Sequence, residues 1–114
     1  MQEHDRSDPS DMDTTVATLK LWTDQFAFER NWENFHTPKN LSMSVAIEAA
    51  ELMEHFQWAE SIPQRNLSEL ELAAVAEEVV DVLSYLLRLA SVLELDLTKT
   101  LRLKMAKNAL KYPI

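Results

Sequence analysis

The 114 residues include no glycine and only four prolines. Tight β-hairpins depend on residues that accept positive φ, and the phosphate loops of strand-based nucleotide folds depend on a close backbone approach that glycine permits. Both are therefore excluded. With 46% hydrophobic residues, enough for one core and too few residues for two, the chain is expected to form a single all-α domain.

Apolar spacing divides that domain into four helices. Residues 1–12 lack periodicity and are expected to be a disordered acidic tail, leaving 13–114 as the folded domain. The first helix is expected from near Asp13, as its N-cap, to about Arg30, with Leu19, Trp22 and Phe26 on an apolar stripe. Residues 31–40 read as a structured loop, because Pro38 disfavours helical geometry in the residue before it. The loop's Trp32, Phe35 and His36 mark it as a candidate binding segment. The second helix spans about residues 41–59, places Leu41, Val45, Ala49, Leu52 and Phe56 on a core face, and is closed by Pro63. Ser68 and Glu71 form a capping-box signature that opens the third, which continues to about Leu93. That helix is apolar over nearly half its circumference, including Val75, Val79, Leu83, Leu86, Leu87 and Ala90, so it needs neighbours on two sides or lies at a subunit interface. A fourth helix runs from Asp96 or Thr98 to Lys111, where Tyr112-Pro113 ends it.

Composition narrows the chemistry. Without cysteine there is no disulfide, thiolate nucleophile or Cys-based zinc site. The polar first residues lack the apolar core of a secretory signal, and no run of about eighteen apolar residues is long enough to span a membrane, so a cytoplasmic protein is expected. A formal net charge of −8 argues against nucleic acid as a partner, whose phosphates call for Lys and Arg. A polyphosphate remains compatible if a divalent cation reverses the local sign.

Four acids suit that condition. Glu48 and Glu51 are three apart on the second helix, and Glu78 and Asp81 are three apart on the third, so each pair shares a helix face. Acids at this spacing are also what an ordinary solvated face presents, and Glu54 and Glu77 fit that description. Glu48 and Glu78 instead border the apolar stripes of their helices, where packing of the two stripes would gather all four carboxylates along one seam. Clustered carboxylates repel and raise one another's pKa unless a cation is bound, and oxygen ligands without cysteine select magnesium, manganese or calcium. A di-iron bundle would need two helical Glu-x-x-His motifs. Glu33 to His36 has that spacing but sits in the loop, and His55 follows Glu51 by four.

The stretch FAFERNWENFHTPKNLSMSVAIEAAELMEHFQW (26–58), followed by EEVVDVLSYLLRLA (77–90) and KMAKNALKYP (104–113), resembles the MazG-like all-α nucleotide pyrophosphohydrolases, closest to their dCTP pyrophosphatase branch. The resemblance implies a four-helix bundle that oligomerises through helix faces into a homodimer or homotetramer. It implies Mg2+, or Mn2+ in its place, on Glu48, Glu51, Glu78 and Asp81, with one of these acids activating the attacking water. The implied reaction is hydrolysis of a nucleoside triphosphate between the α and β phosphorus atoms, releasing monophosphate and pyrophosphate. Trp32, His36 and Trp58 match positions around the base and sugar, although Trp58 alone would be read as a core residue. Tyr85, one turn beyond Asp81, could reach sugar or phosphate, or simply fill a helix contact. Lys104 and Asn108 match substrate-binding positions, and Lys111 stands where relatives often have arginine. Ala49-Ala50 replaces a frequent glycine without changing the ligand spacing. The expected substrate is dCTP or a 5-modified dCTP, in sanitation of the nucleotide pool. The competing readings are a different nucleotide substrate, such as phosphoribosyl-ATP, and a non-catalytic helical module that binds a partner.

Overall fold

The computed structural model describes residues 8–58 and 67–114. The first seven residues of the expected tail, and the expected helix end at Ala59 and stop at Pro63, lie outside the described residues. Among those described there is no strand, and the order is α1 (Val16–Glu29), α2 (Pro38–Glu54), α3 (Glu69–Val92) and α4 (Leu97–Lys111). No helix among them is long and apolar enough to cross a membrane.

Each helix begins on a side-chain cap. The α1 cap is Thr15, which accepts a hydrogen bond from the Thr18 amide, and not Asp13. Asp13 instead accepts from the Ser10 amide and closes a separate turn, a local bond that competes with helix capping. Thr37 caps α2 through the Asn40 amide, and Pro38 is its first residue. Pro38 therefore opens the helix rather than belonging to the loop, since its fixed φ suits the first turn and its missing N–H would have no intrahelical partner there. The helix ends at Glu54, short of the expected 59. His55 and Phe56 hydrogen-bond to Leu52 and Met53 carbonyls, the tighter spacing that closes a helix. The capping box of Ser68 and Glu71 is present in both directions at α3, and Asp96 caps α4.

Two helices end in left-handed residues that are not glycine. Asn31 (φ 57°) follows α1 and Glu94 (φ 54°) follows α3. In both, the next amide reaches back over the helix end: Trp32 N–H to Ala27 C=O at 2.9 Å and Leu95 N–H to Ala90 C=O at 2.8 Å. This is the Schellman arrangement, which satisfies carbonyls the helix leaves open. At the end of α1 it also brings the Trp32 ring edge-on against Phe26 of the last turn.

The third helix is central, packed extensively against α2 and to a lesser degree against α1. Ala27, Leu41, Leu87 and Ala90 are buried where these helices meet. Lys20 of α1 donates its ammonium to the Leu95 carbonyl at the end of α3. The core face expected for α2 is only partly covered: Leu41 is buried, Val45 and Leu52 are half-buried, and Ala49 and Phe56 are exposed. The broad stripe of α3 is likewise half covered, with Val79, Val80, Leu83 and Leu86 exposed. No residue of α4 is buried.

The left-handed conformation costs a residue with a Cβ about 1–2 kcal/mol, part of which glycine returns as unfolded-state entropy. Glu94→Gly is therefore expected to stabilise the fold by about 0.5–1 kcal/mol, read as a rise in urea midpoint with unchanged slope. A lower midpoint would mean that the Glu94 side chain contributes more than its backbone strain removes.

Candidate active site

The Schellman turn at Asn31 fixes where the aromatic loop leaves α1. From Trp32 the chain makes one tight turn, in which the Phe35 and His36 amides both donate to the Trp32 carbonyl. Thr37 then caps α2, and the Asn40 side-chain amide donates to the Phe35 carbonyl. The loop is thus held at both ends by backbone bonds. His36, in the position just before the cap, is directed toward α3.

There it meets Arg88. The Arg88 Nε donates to His36 Nδ1 at 3.0 Å, and its Nη1 donates to Asp24 Oδ1 of α1 at 2.6 Å. The second oxygen of Asp24 accepts from the Ser91 hydroxyl at 2.9 Å. Arg88 is 8% exposed, so one buried guanidinium joins α1, α3 and the loop. Burial, then the neighbouring Arg88 charge, lowers the His36 pKa from its ordinary value.

Above this network α1 and α3 enclose a cavity of about 460 Å3, within the roughly 300–1,000 Å3 of small-molecule clefts. Trp22, Phe26 and Trp32 line one side, and Asp81, Ser84 and Tyr85 line the other, with His36 and Arg88 also on its wall. The rings form a chain: Phe26 to Trp32 at 5.6 Å, Trp32 to His36 at 5.8 Å and His36 to Tyr85 at 6.3 Å between centroids. Trp22 and Phe26 are half-exposed walls of this cavity, although their spacing suggests core.

Three of the four expected acids converge beside it, without Glu51. One carboxylate oxygen each from Glu48, Glu78 and Asp81 lie within 4.8 Å of one another. Partial desolvation, then the charge of Glu51, a hydrogen bond with the Glu51 side chain and the charges of Asp81 and Glu78, raise the Glu48 pKa. The Glu78 pKa is raised by desolvation and by Glu51, Asp81 and Glu54, against a smaller lowering by His55. Its Oε2 atom is buried and has no hydrogen-bond partner among the described residues, a costly state for a carboxylate. A divalent cation fits this set: its ligands are hard oxygens, one lacks a partner, and positive charge would relieve their repulsion. Asp81 belongs to both the cluster and the cavity wall, so the two halves are continuous.

Other residues singled out in the sequence lie elsewhere in the single chain. Trp58 is 88% exposed, Lys104 and Lys111 are exposed and Asn108 is half-buried on α4, and none lines the cavity. The Lys111 ammonium lies 5.4 Å from the Tyr112 ring centroid. Sequence reasoning missed Asp24, Thr23, Ser84 and Arg88. For Arg88 a signal existed, a lone cation inside the apolar run Leu86-Leu87-Arg88-Leu89-Ala90.

Known proteins bear on this geometry. The family model of the MazG-like family matches residues 43–114. The sequence is 39% identical over 102 residues to dCTP pyrophosphatase 1 of Bos taurus and 41% identical over 102 residues to that of Homo sapiens. These alignments take in 88% and 87% of this chain but 60% and 59% of the relatives, so the chain spans about three fifths of their length. A crystal structure of a pyrophosphatase from Archaeoglobus fulgidus superposes with a TM-score of 0.76 at 37% identity, covering 94% of this chain and 100% of that one.

The raised carboxyl groups set a pH dependence for the metal-free protein. Glu48 and Glu78 bind protons more tightly folded than unfolded, so their contribution to stability is present at low pH and lost as pH rises from the ordinary carboxyl value of 4.5 through the raised one. In chelator at pH 7.5, Glu48→Gln is expected to melt above wild type, and the gap should close as pH approaches 4.5. A variant that melts no higher at pH 7.5 would show that the acids do not repel.

Proposed function

Because the chain belongs to the MazG-like family, we propose that it hydrolyses a nucleoside triphosphate to its monophosphate and pyrophosphate, with dCTP or a 5-modified dCTP as substrate. The observation that carries the reading is the unpartnered Glu78 oxygen in an acid cluster that opens directly into an aromatic cavity through Asp81. The relatives named dCTP pyrophosphatase 1 and the archaeal pyrophosphatase support it.

Glu48, Glu51, Glu78 and Asp81 are assigned to hold Mg2+, with Mn2+ as an alternative. When bound, the ion supplies neutralisation of the triphosphate and polarisation of the phosphorus under attack. The protein's own part is placement. Trp32 offers its ring to a nucleobase, a contact worth roughly 1–3 kcal/mol, while Tyr85, one turn beyond Asp81 on the same cavity wall, is assigned to the sugar or α-phosphate. One of the four acids orients the water. The aromatic wall on one side and the acids on the other would leave the α–β bridge at their junction.

Trp58, Lys104, Asn108 and Lys111 are assigned to the substrate as well, from a second copy of the chain. In support, α4 buries no residue within one chain and the α3 stripe is left partly bare. A homodimer or homotetramer would cover both and bring cations toward an acidic site. Lysine at 111 offers a point charge in place of a bidentate fork.

In a pyrophosphate-release screen of unmodified and 5-modified deoxynucleoside triphosphates with Mg2+, turnover is expected on cytosine nucleotides. Glu51→Gln should reduce it by more than the roughly 10–100-fold that follows loss of an outer partner of a metal ligand. Turnover on another base would keep the mechanism and replace the substrate. No pyrophosphate from any nucleotide would favour a different nucleotide class or a non-catalytic binding module, and full activity in Glu51→Gln would remove Glu51 from the metal site.

A further inference from the structure

His36 has two ring nitrogens, and the fold determines which carries the proton. A guanidinium has donors only and does not deprotonate in proteins. The Arg88 Nε at 3.0 Å from His36 Nδ1 therefore requires a lone pair on Nδ1. In a neutral ring the hydrogen then sits on Nε2. Burial and the Arg88 charge both disfavour the imidazolium.

Arg88 is in turn not free to turn away. Its Nη1 is engaged by Asp24 at 2.6 Å, and Asp24 is held on its other oxygen by Ser91. The relay runs Ser91 to Asp24 to Arg88 to His36 and ends on the cavity wall beside Trp32 and Tyr85. Arg88 and Ser91 both donate to Asp24, which fixes the guanidinium, so a hydrogen placed on His36 Nδ1 would face the Arg88 Nε–H and lose that bond while the other two remain.

We propose that Arg88 is a positioning residue that locks His36 as a neutral Nε2–H donor, so that the cavity selects a nucleobase presenting a carbonyl acceptor beside the Trp32 ring. This rests on the cavity being the base site of the proposed hydrolase. The polarity is one-sided. An exocyclic amino group at the same place would face a donor with a donor, and a buried mismatch of that kind rejects a ligand far more strongly than a missing methylene does. A base with a carbonyl next to its glycosidic nitrogen, as in pyrimidines, satisfies the donor directly.

The informative variant is Arg88→Lys, because a single ammonium can keep the ion pair to Asp24 while giving up the bond to His36. Long-range 1H–15N spectra of the histidine rings, assigned with His36→Gln, report the tautomer without any substrate. The expected wild-type result at pH 7 is a neutral ring with the hydrogen on Nε2, and in Arg88→Lys a mixture of both tautomers. A wild-type His36 that is protonated on Nδ1, or doubly protonated, would overturn the proposal whatever the hydrolysis assay returns. In that assay, Arg88→Lys is expected to raise KM about twofold with kcat retained, the factor by which an even mixture depletes the competent tautomer. A loss confined to kcat, or wild-type KM in Arg88→Lys, would also overturn it. If no nucleotide is turned over, the hydrolase reading fails by that result alone, and the spectra still decide the tautomer.

Discussion

One buried guanidinium holds this molecule's functional region together. Arg88 is placed within the most apolar helix and is almost fully covered, which would be strongly unfavourable for an unpaired charge. Asp24 from α1 and His36 from the loop compensate it from two directions. Because Asp24 remains more than a third exposed, breaking the pair would cost less than the roughly 3–5 kcal/mol of a fully buried one. What the pair supplies beyond stability is direction. Hydrophobic contacts among Ala27, Leu87 and Ala90 allow α1 to slide on α3, whereas a guanidinium and a carboxylate at 2.6 Å set a single register, and that register shapes the cavity.

The site joins two environments that would not coexist without this scaffold. On one side are aromatic rings and a neutral histidine. On the other are carboxylates close enough to raise the pKa of Glu48 and Glu78. Asp81 touches both, one turn before Tyr85 and two before Arg88 on the same helix. A straight run of α3 therefore lines up Asp81, Tyr85 and Arg88 at about 1.5 Å of rise per residue, from the acid cluster to the buried ion pair. The loop from Trp32 to His36 completes the wall because the Schellman turn and the Thr37 cap determine its two ends. Glycine is not needed at the turn, since asparagine tolerates the left-handed conformation.

Much of this was legible in the sequence, and what was not has identifiable causes. Helix number and the capping box follow from periodicity and local chemistry, which a single chain carries in full. The gathering of Glu48, Glu78 and Asp81 could be read because Glu48 and Glu78 border the apolar stripes of their helices, where packing brings borders together. Thr15 was missed because Asp13 is an equally good cap by type, and only its bond to the Ser10 amide removes it from contention. Pro38 was misplaced by the rule for the residue before a proline, which also describes an ordinary helix start. Asp24, Arg88 and Ser91 were invisible as a unit: they are 64 and 67 residues apart, and no spacing rule links a polar residue of one helix to a cation on another. The positions of Trp58 and the α4 residues depend on what covers faces that one chain leaves open.

The same features explain why the core is so economical. Few large side chains are wholly buried, and the acid seam works against the fold through repulsion and an unpartnered carboxylate oxygen. Replacing these acids with apolar residues would extend the α2–α3 contact and stabilise it. Their retention on the seam places the loss of stability where a cation would return it, because an ion bound only by the folded form raises its free energy of unfolding as concentration exceeds Kd. The repulsion is thus a form of preorganisation. The carboxylates are held close before any ligand arrives, by the packing of α2 on α3, so their approach adds nothing further to the cost of binding.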